Sequence, residues 1–211
     1  MSILENIIIG VVEGKLGEIG PLVQKALDEK IAIQEIIDKG LVKGMSVVAD
    51  RWKEGEYFVP EVLRSAKVMQ MGMDVLTPHL AGGEVKSKAT FAIGTVKGDL
   101  HDIGKNLVAL MLEGAGYKVI NLGIDVDSTR FVQCVQENPK VQAVGLSALL
   151  TTTMPEMKNT IDALKEAGLR DRIKVFIGGA PVTQSFADEI GADYYSIDAA
   201  HVIDQLNAVF S

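Results

Sequence analysis

A histidine set between acids is the feature of this chain that most suggests chemistry. The run Lys97-Gly98-Asp99-Leu100-His101-Asp102-Ile103-Gly104-Lys105-Asn106 contains one of only three histidines in 211 residues. A carboxylate beside an imidazole can accept the proton of one ring nitrogen and leave the lone pair of the other for a metal. Asp99, two residues earlier, is the candidate for that orienting role. Gly98 permits a tight turn, and Gly104 removes a side chain where a bulky ligand would have to lie close to a helix start. The same spacing fits a plainer arrangement, in which Asp102 caps a helix and His101 is an exposed loop residue. A single protein histidine is too small a donor set for zinc or non-haem iron. The one cysteine, Cys134, can form neither an internal disulfide nor a multi-cysteine metal site. A metal bound here would have to arrive with most of its ligands attached, as a preassembled macrocycle does.

The elements that must position this loop fall into two halves. From Ile3 to about Leu80 apolar residues recur at helical spacing, for example Leu22, Val23, Ala26 and Leu27, then Ile33, Ile36, Ile37 and Leu41. The spacing predicts a bundle with helices near 3–13, 16–28, 32–53 and 60–78, broken at Gly14, around Glu29-Lys30 and at Gly55, with Pro60 in a helix's first turn. Trp52 and most of Met45, Met69, Met71 and Met73 read as bundle core. The small and polar residues 83–89 read as a linker between a helical domain, 1–82, and a second domain, 90–211.

In that second domain short apolar runs alternate with amphipathic segments. Buried strands are expected at 90–95, 118–122, 143–147 and 174–177, with a weak fifth at 193–196; helices are expected near 103–115, 128–137, 153–167, 183–190 and 199–209. Such alternation implies a parallel sheet covered on both faces, and five β/α units are the count of a flavodoxin-like (Rossmann-like) fold. In the strand order 2-1-3-4-5, ligands bind beyond the carboxyl ends of strands one and three, where the order reverses. The loops after Thr95 and Ser147 are therefore the places to expect chemistry, and the first of them holds His101. His79, beside Pro78, and His201 lack its acidic and glycine surroundings.

Bulk properties narrow the partners. A net charge of −7, with no cluster of Lys and Arg, disfavours nucleic acid. No run reaches the roughly 18 apolar residues of a membrane span, and the amino terminus lacks the charge and cleavage pattern of a signal peptide. A reducing cytoplasm is the expected location. At 47% hydrophobic residues the chain has ample material for a packed core.

Asp99-x-His101-x-x-Gly104, followed in order by Ser147-Ala148-Leu149 and Gly178-Gly179, resembles the cobalamin-binding signature of methionine synthase, adenosylcobalamin mutases and the corrinoid proteins of methanogens and acetogens. The resemblance implies that His101 replaces the cofactor's own benzimidazole as lower axial ligand to cobalt, with Asp99 orienting it. It implies a cleft for the nucleotide tail lined by Gly104, Ser147, Leu149, Gly178 and Gly179, with Asp102 and Ile103 in the same loop. Thr151 and Thr153 align with hydroxyl-bearing positions of the family, Thr153 as a relay member behind Asp99. Thr151-Thr152-Thr153 equally suits a helix N-cap.

The run Gly40 to Met45 and the run Gly55 to Leu63 resemble the helical cap that precedes the cobalamin domain in methionine synthase and corrinoid proteins. In that family the cap shields the methyl group on the upper face of the corrin, which implies Phe58 and Leu63 nearest it. The implied function is a methyl carrier, not expected to catalyse transfer alone. It would accept a methyl group on cobalt from a substrate:corrinoid methyltransferase and pass it to a second methyltransferase for tetrahydrofolate or coenzyme M, with a reductive activase as a further partner. Methylamines, betaines, methanol and aryl methyl ethers are the donors such proteins use. A mutase subunit and a cobalamin-dependent regulator share the loop; the cap argues against the first and the lack of a DNA-binding module against the second.

Overall fold

The computed structural model describes residues 1–80 and 87–210. The chain divides into two compact units, a helical one ending at residue 87 that also takes in Glu113–Gly116, and one holding the rest of residues 88–211. Of the expected linker, residues 83–86 lie outside the described residues.

In the helical unit α1 (Ile3–Val12) opens with a capping box. The Glu5 carboxylate accepts the Ser2 N–H at 2.6 Å and the Ser2 hydroxyl accepts the Glu5 N–H at 3.2 Å. After α2 (Ile19–Asp28) the chain departs from the single α-helix that spacing predicts over 32–53. Here α3 (Ile33–Ile36) widens into a π-helical stretch, Ile37–Val42, before α4 (Lys43–Lys53). Apolar residues keep one face through this stretch, which is why periodicity does not reveal it. Gly44 lets α4 lie against α1, since a Cβ there would stand 2.7 Å from that of Val11. Pro60 sits in the first turn of α5 (Val59–Leu76), whose Glu61 carboxylate accepts the Phe58 N–H at 3.0 Å.

The expected breaks at Gly14, Lys30 and Gly55 all have positive φ. Ile7, Val11, Ile19, Val23, Ile36, Leu41, Val62 and Leu76 form the buried interior, joined by Met45 and Met69. Trp52, expected in that core, is only partly buried, as are Met71 and Met73. Among the described residues no helix is long and apolar enough to cross a membrane.

The second unit alternates strand and helix: β1 (Thr90–Val96), α6 (Ile103–Gly114), β2 (Lys118–Val126), α7 (Ser128–Glu137), β3 (Val141–Ser147), α8 (Pro155–Glu166), β4 (Lys174–Gly178), α9 (Gln184–Ile190), β5 (Tyr194–Tyr195) and α10 (Ala199–Phe210). The strands form one parallel sheet in the order β2-β1-β3-β4-β5. Every residue of β1 is buried, as a central strand requires.

β2 corrects the expectation of a short buried strand at 118–122. It is nine residues long, lies at the sheet edge, and only Val126 in it is buried. Val119, Ile120 and Leu122 read as interior by type, but an edge strand has a neighbour on one side only. Phe131, Val135, Val144, Met157, Ile161 and Val175 anchor the core around the sheet. Because β1 is flanked by β2 on one side and β3 on the other, the loops after β1 and β3 open a crevice at their carboxyl ends.

Candidate functional site

The site is built around a carboxylate with no solvent exposure. β1 carries Asp99 just past its end, and the Thr95 hydroxyl, inside β1, donates to the His101 carbonyl at 2.8 Å, folding the loop back on the strand. One oxygen of Asp99, Oδ1, accepts the His101 N–H at 3.1 Å and lies 2.7 Å from His101 Nδ1. The other, Oδ2, accepts the N–H groups of Leu149 at 2.7 Å and Leu150 at 3.3 Å, and the Thr153 hydroxyl at 2.8 Å. Burial alone would push the Asp99 carboxyl upward. The hydrogen bonds from Leu149, His101 and Thr153 outweigh it and hold the group well below the usual carboxylate range.

An ionised carboxylate only accepts, so the ring nitrogen facing it carries the proton. The second ring nitrogen, Nε2, then keeps its lone pair on a side chain that is 51% exposed. Held at one nitrogen and open at the other, the imidazole suits a single axial bond to a metal. Among the described residues no group of three or more His, Cys, Asp and Glu side chains could hold a bare metal ion. The donor set therefore fits a metal that brings its own equatorial ligands.

The other expected residues distribute around this pair. Ser147 ends β3 and pairs with Thr95 on one side and Gly178 on the other, so all three stand in register at the carboxyl edge of the sheet. Leu149 is half-exposed while its N–H grips Asp99. Thr153 is turned onto Asp99, and α8 begins only at Pro155 with no side-chain cap, so the capping alternative is not what the threonines do. Thr151 is exposed in the turn between them. The Asp102 carboxylate accepts from the Asn106 side chain at 2.9 Å rather than from His101.

The glycines have different reasons for being there. A Cβ on Gly179, whose φ is +137°, would stand 1.8 Å from the Ala148 carbonyl oxygen, so bare backbone is needed for the chain to pass β3's end. A Cβ on Gly178 would come within 3.0 Å of the Ser196 carbonyl. Nothing lies within 4 Å of the Cβ position at Gly104, so that glycine leaves open space beside the histidine loop.

Ile103 is 81% exposed, and it has apolar company that motif reading did not pick out: Leu100 at 66%, Ile197 at 71%, and half-exposed Ile124 and Leu150. Leu100, Leu150 and Ile197 stand in loops beyond the carboxyl ends of β1, β3 and β5, Ile103 opens α6, and Ile124 lies near the carboxyl end of β2. Their signal in the sequence was large aliphatic side chains in segments that no strand or helix period claims. Phe58 and Leu63, at the start of α5 in the helical unit, are 66% and 46% exposed.

Known proteins resemble this chain along nearly its whole length. A family described as B12 binding domain matches residues 89–205, and a second B12 binding domain family matches residues 3–77. A corrinoid protein of Desulfitobacterium hafniense is 43% identical over 99% of this chain and 98% of its own length. Trimethylamine corrinoid protein 1 of Methanosarcina acetivorans is 45% identical over 88% of this chain and 87% of its own. Among solved structures, the methanol:cobalamin methyltransferase complex MtaBC of Methanosarcina barkeri contains a chain with TM-score 0.90 and 31% identity, matched over 99% of this chain and 79% of that one.

Proposed function

Since this chain belongs to the family of B12-binding corrinoid proteins, we propose that His101 is its one ligand to cobalt and that Asp99 and Thr153 hold that ligand in place. The protein is a cobalamin-binding methyl carrier that works with methyltransferases. The bound corrinoid supplies the chemistry, a cobalt centre that takes up a methyl group and gives it away.

The residues of the chain ligate, orient and shield. Asp99 keeps the proton on His101 Nδ1 and aims Nε2 outward, and the hydroxyl of Thr153 with the Leu149 N–H keeps Asp99 ionised where water does not reach it. The open space at Gly104 and the edge formed by Ser147, Leu149, Thr151, Gly178 and Gly179 would hold the nucleotide tail, with Asp102 and Ile103 in the same wall. Phe58 and Leu63 would shield the methyl group.

The observation that carries this reading is the buried Asp99 gripping an otherwise exposed imidazole at 2.7 Å. The donor we assign is a methylamine, in keeping with the relative named for trimethylamine that is 45% identical over 88% of this chain. The same proposal includes a methyltransferase for that amine, a second one serving tetrahydrofolate or coenzyme M, a reductive activase and a cytoplasmic setting. In a titration with hydroxocobalamin, wild type should give the base-off, histidine-bound spectrum and His101→Ala should not. An unchanged spectrum in the variant rules His101 out. Demethylation of methylamines, methanol and betaines by the loaded protein with each cognate methyltransferase decides the donor.

A further inference from the structure

The loop that carries His101 is gripped from β3 through Asp99, and it is also gripped from the opposite side of β1, by β2. Relative to β1, β2 holds extra residues: Ile93 pairs with Asn121 but Gly94 with Gly123, and Val96 pairs with Val126, so the register slips twice near the carboxyl end. Bulges bend a strand and re-aim its side chains. At this one the backbone passes through positive φ at Gly123 and at Asp125, where φ is +52°. That conformation strains a residue with a Cβ, although Asp tolerates it better than most.

In exchange Asp125 meets the histidine loop at two points. Its Oδ1 accepts the Gly98 N–H at 2.7 Å, and its own N–H donates to the Asp99 carbonyl at 3.0 Å. Two residues further on, just past the strand's end, Asp127 pairs with Lys97 at 2.8 Å while capping α7 through the Thr129 N–H at 3.0 Å. We propose that Asp125 is a positioning residue for His101, clamping the loop from the bulged edge strand so that Asp99 and the imidazole keep one geometry whether or not the ring is bound to metal. The proposal rests on the reading of His101 as the axial ligand, and its test reads the histidine with and without cofactor.

Three substitutions separate the carboxylate from the backbone. Asp125→Asn keeps a side-chain oxygen for Gly98 and tolerates positive φ; Asp125→Gly relaxes the backbone and removes the acceptor; Asp125→Ala removes the acceptor and keeps the strain. In the cofactor-free protein, ¹⁵N resonances of the His101 ring should report a fixed Nδ1–H tautomer in wild type and Asp125→Asn. In the Gly and Ala variants they should move toward the averaged values of a free imidazole. The Gly98 amide should exchange at least about tenfold faster in those two variants, as loss of a hydrogen bond to a charged acceptor implies.

Affinity for hydroxocobalamin should fall about 10- to 100-fold in the same two, the range for loss of a group that orients a metal ligand. If Asp125→Ala does not fold, the Gly and Asn variants carry the comparison. Ring signals and hydroxocobalamin affinity of Asp125→Gly within about twofold of wild type would overturn the proposal, and so would an Asn variant as impaired as the Gly variant. Were wild type itself to take up no hydroxocobalamin, the axial-ligand reading would fall, while the ring signals would still decide what Asp125 does.

Discussion

A fully buried carboxylate is tolerated only when its oxygens are filled, and at Asp99 three backbone N–H groups, a hydroxyl and an imidazole do the filling. Thr153 contributes the one hydroxyl and is itself buried. Thr153→Val, close in shape but without the donor, should lower unfolding free energy by about 1–3 kcal/mol in urea titrations, with Thr153→Ser recovering most of it. A loss well under that range would mean that the backbone donors alone satisfy the acid. The pairing of His101 with Asp99 was suggested by residue type and order, but the same spacing fitted an exposed loop histidine beside a helix-capping Asp102, and only the fold shows the two side chains 2.7 Å apart. The direction in which Thr153 points was not legible. A threonine before a helix has the same spelling whether it caps that helix or reaches back across the sheet, and only the fold brings Asp99 within 2.8 Å.

At the scale of elements, the glycines and the edge strand make separable predictions. Gly104→Leu should fold with thermal stability near wild type, since a Cβ there points into open space with nothing within 4 Å, yet should bind hydroxocobalamin more weakly because the added side chain fills the space the ligand needs. Gly179→Ala should behave in the opposite way, losing about 1–3 kcal/mol or more of stability before any ligand is added, because the new Cβ collides with the Ala148 carbonyl. Both positions carry the same glycine signal in the sequence, and the reason for each becomes visible only when the neighbouring backbone is in place.

β2 was expected as a strand and misjudged as buried, for hydrophobic type does not distinguish an edge from a centre, and a bulge inserts residues without changing composition. Its bulged end also receives Lys105 from the first turns of α6. The ammonium is nearly enclosed and donates to Asn121 Oδ1 at 2.8 Å, and burial lowers its pKa from the ordinary lysine value. Between that lowered value and the ~10.4 of an unfolded lysine the unfolded chain binds more protons, so this group makes stability rise with pH across that window. At lower pH the cost of burying the charge is carried in full. In urea unfolding followed from pH 7 to about 10.5, the stability of wild type relative to Lys105→Met should rise with pH; parallel curves would mean that Lys105 does not titrate there.

For the whole molecule, the two-part order of helical bundle then parallel sheet could be read from periodicity alone, since a helical repeat and short apolar runs differ over tens of residues. What covers the exposed apolar side chains could not be read that way. Phe58 and Leu63 in the helical unit, like Leu100, Ile103 and Ile197 in the sheet unit, stand open to solvent. A chain of net charge −7 gains solubility from its charged surface, and leaving large apolar groups exposed works against it unless they serve a ligand or partner.

If Phe58 and Leu63 shield the methyl group, as we propose, their loss should cost function and leave the fold intact. Phe58→Ala and Leu63→Ala should change unfolding free energy by no more than about 0.5 kcal/mol, as exposed positions do. The methyl-loaded variants should nevertheless lose their methyl group to light and oxygen faster than wild type, followed by absorbance. Equal decay rates with unchanged stability would remove both residues from the shield and leave them as a surface for the partner methyltransferase, which transfer rates against partner concentration would then reveal.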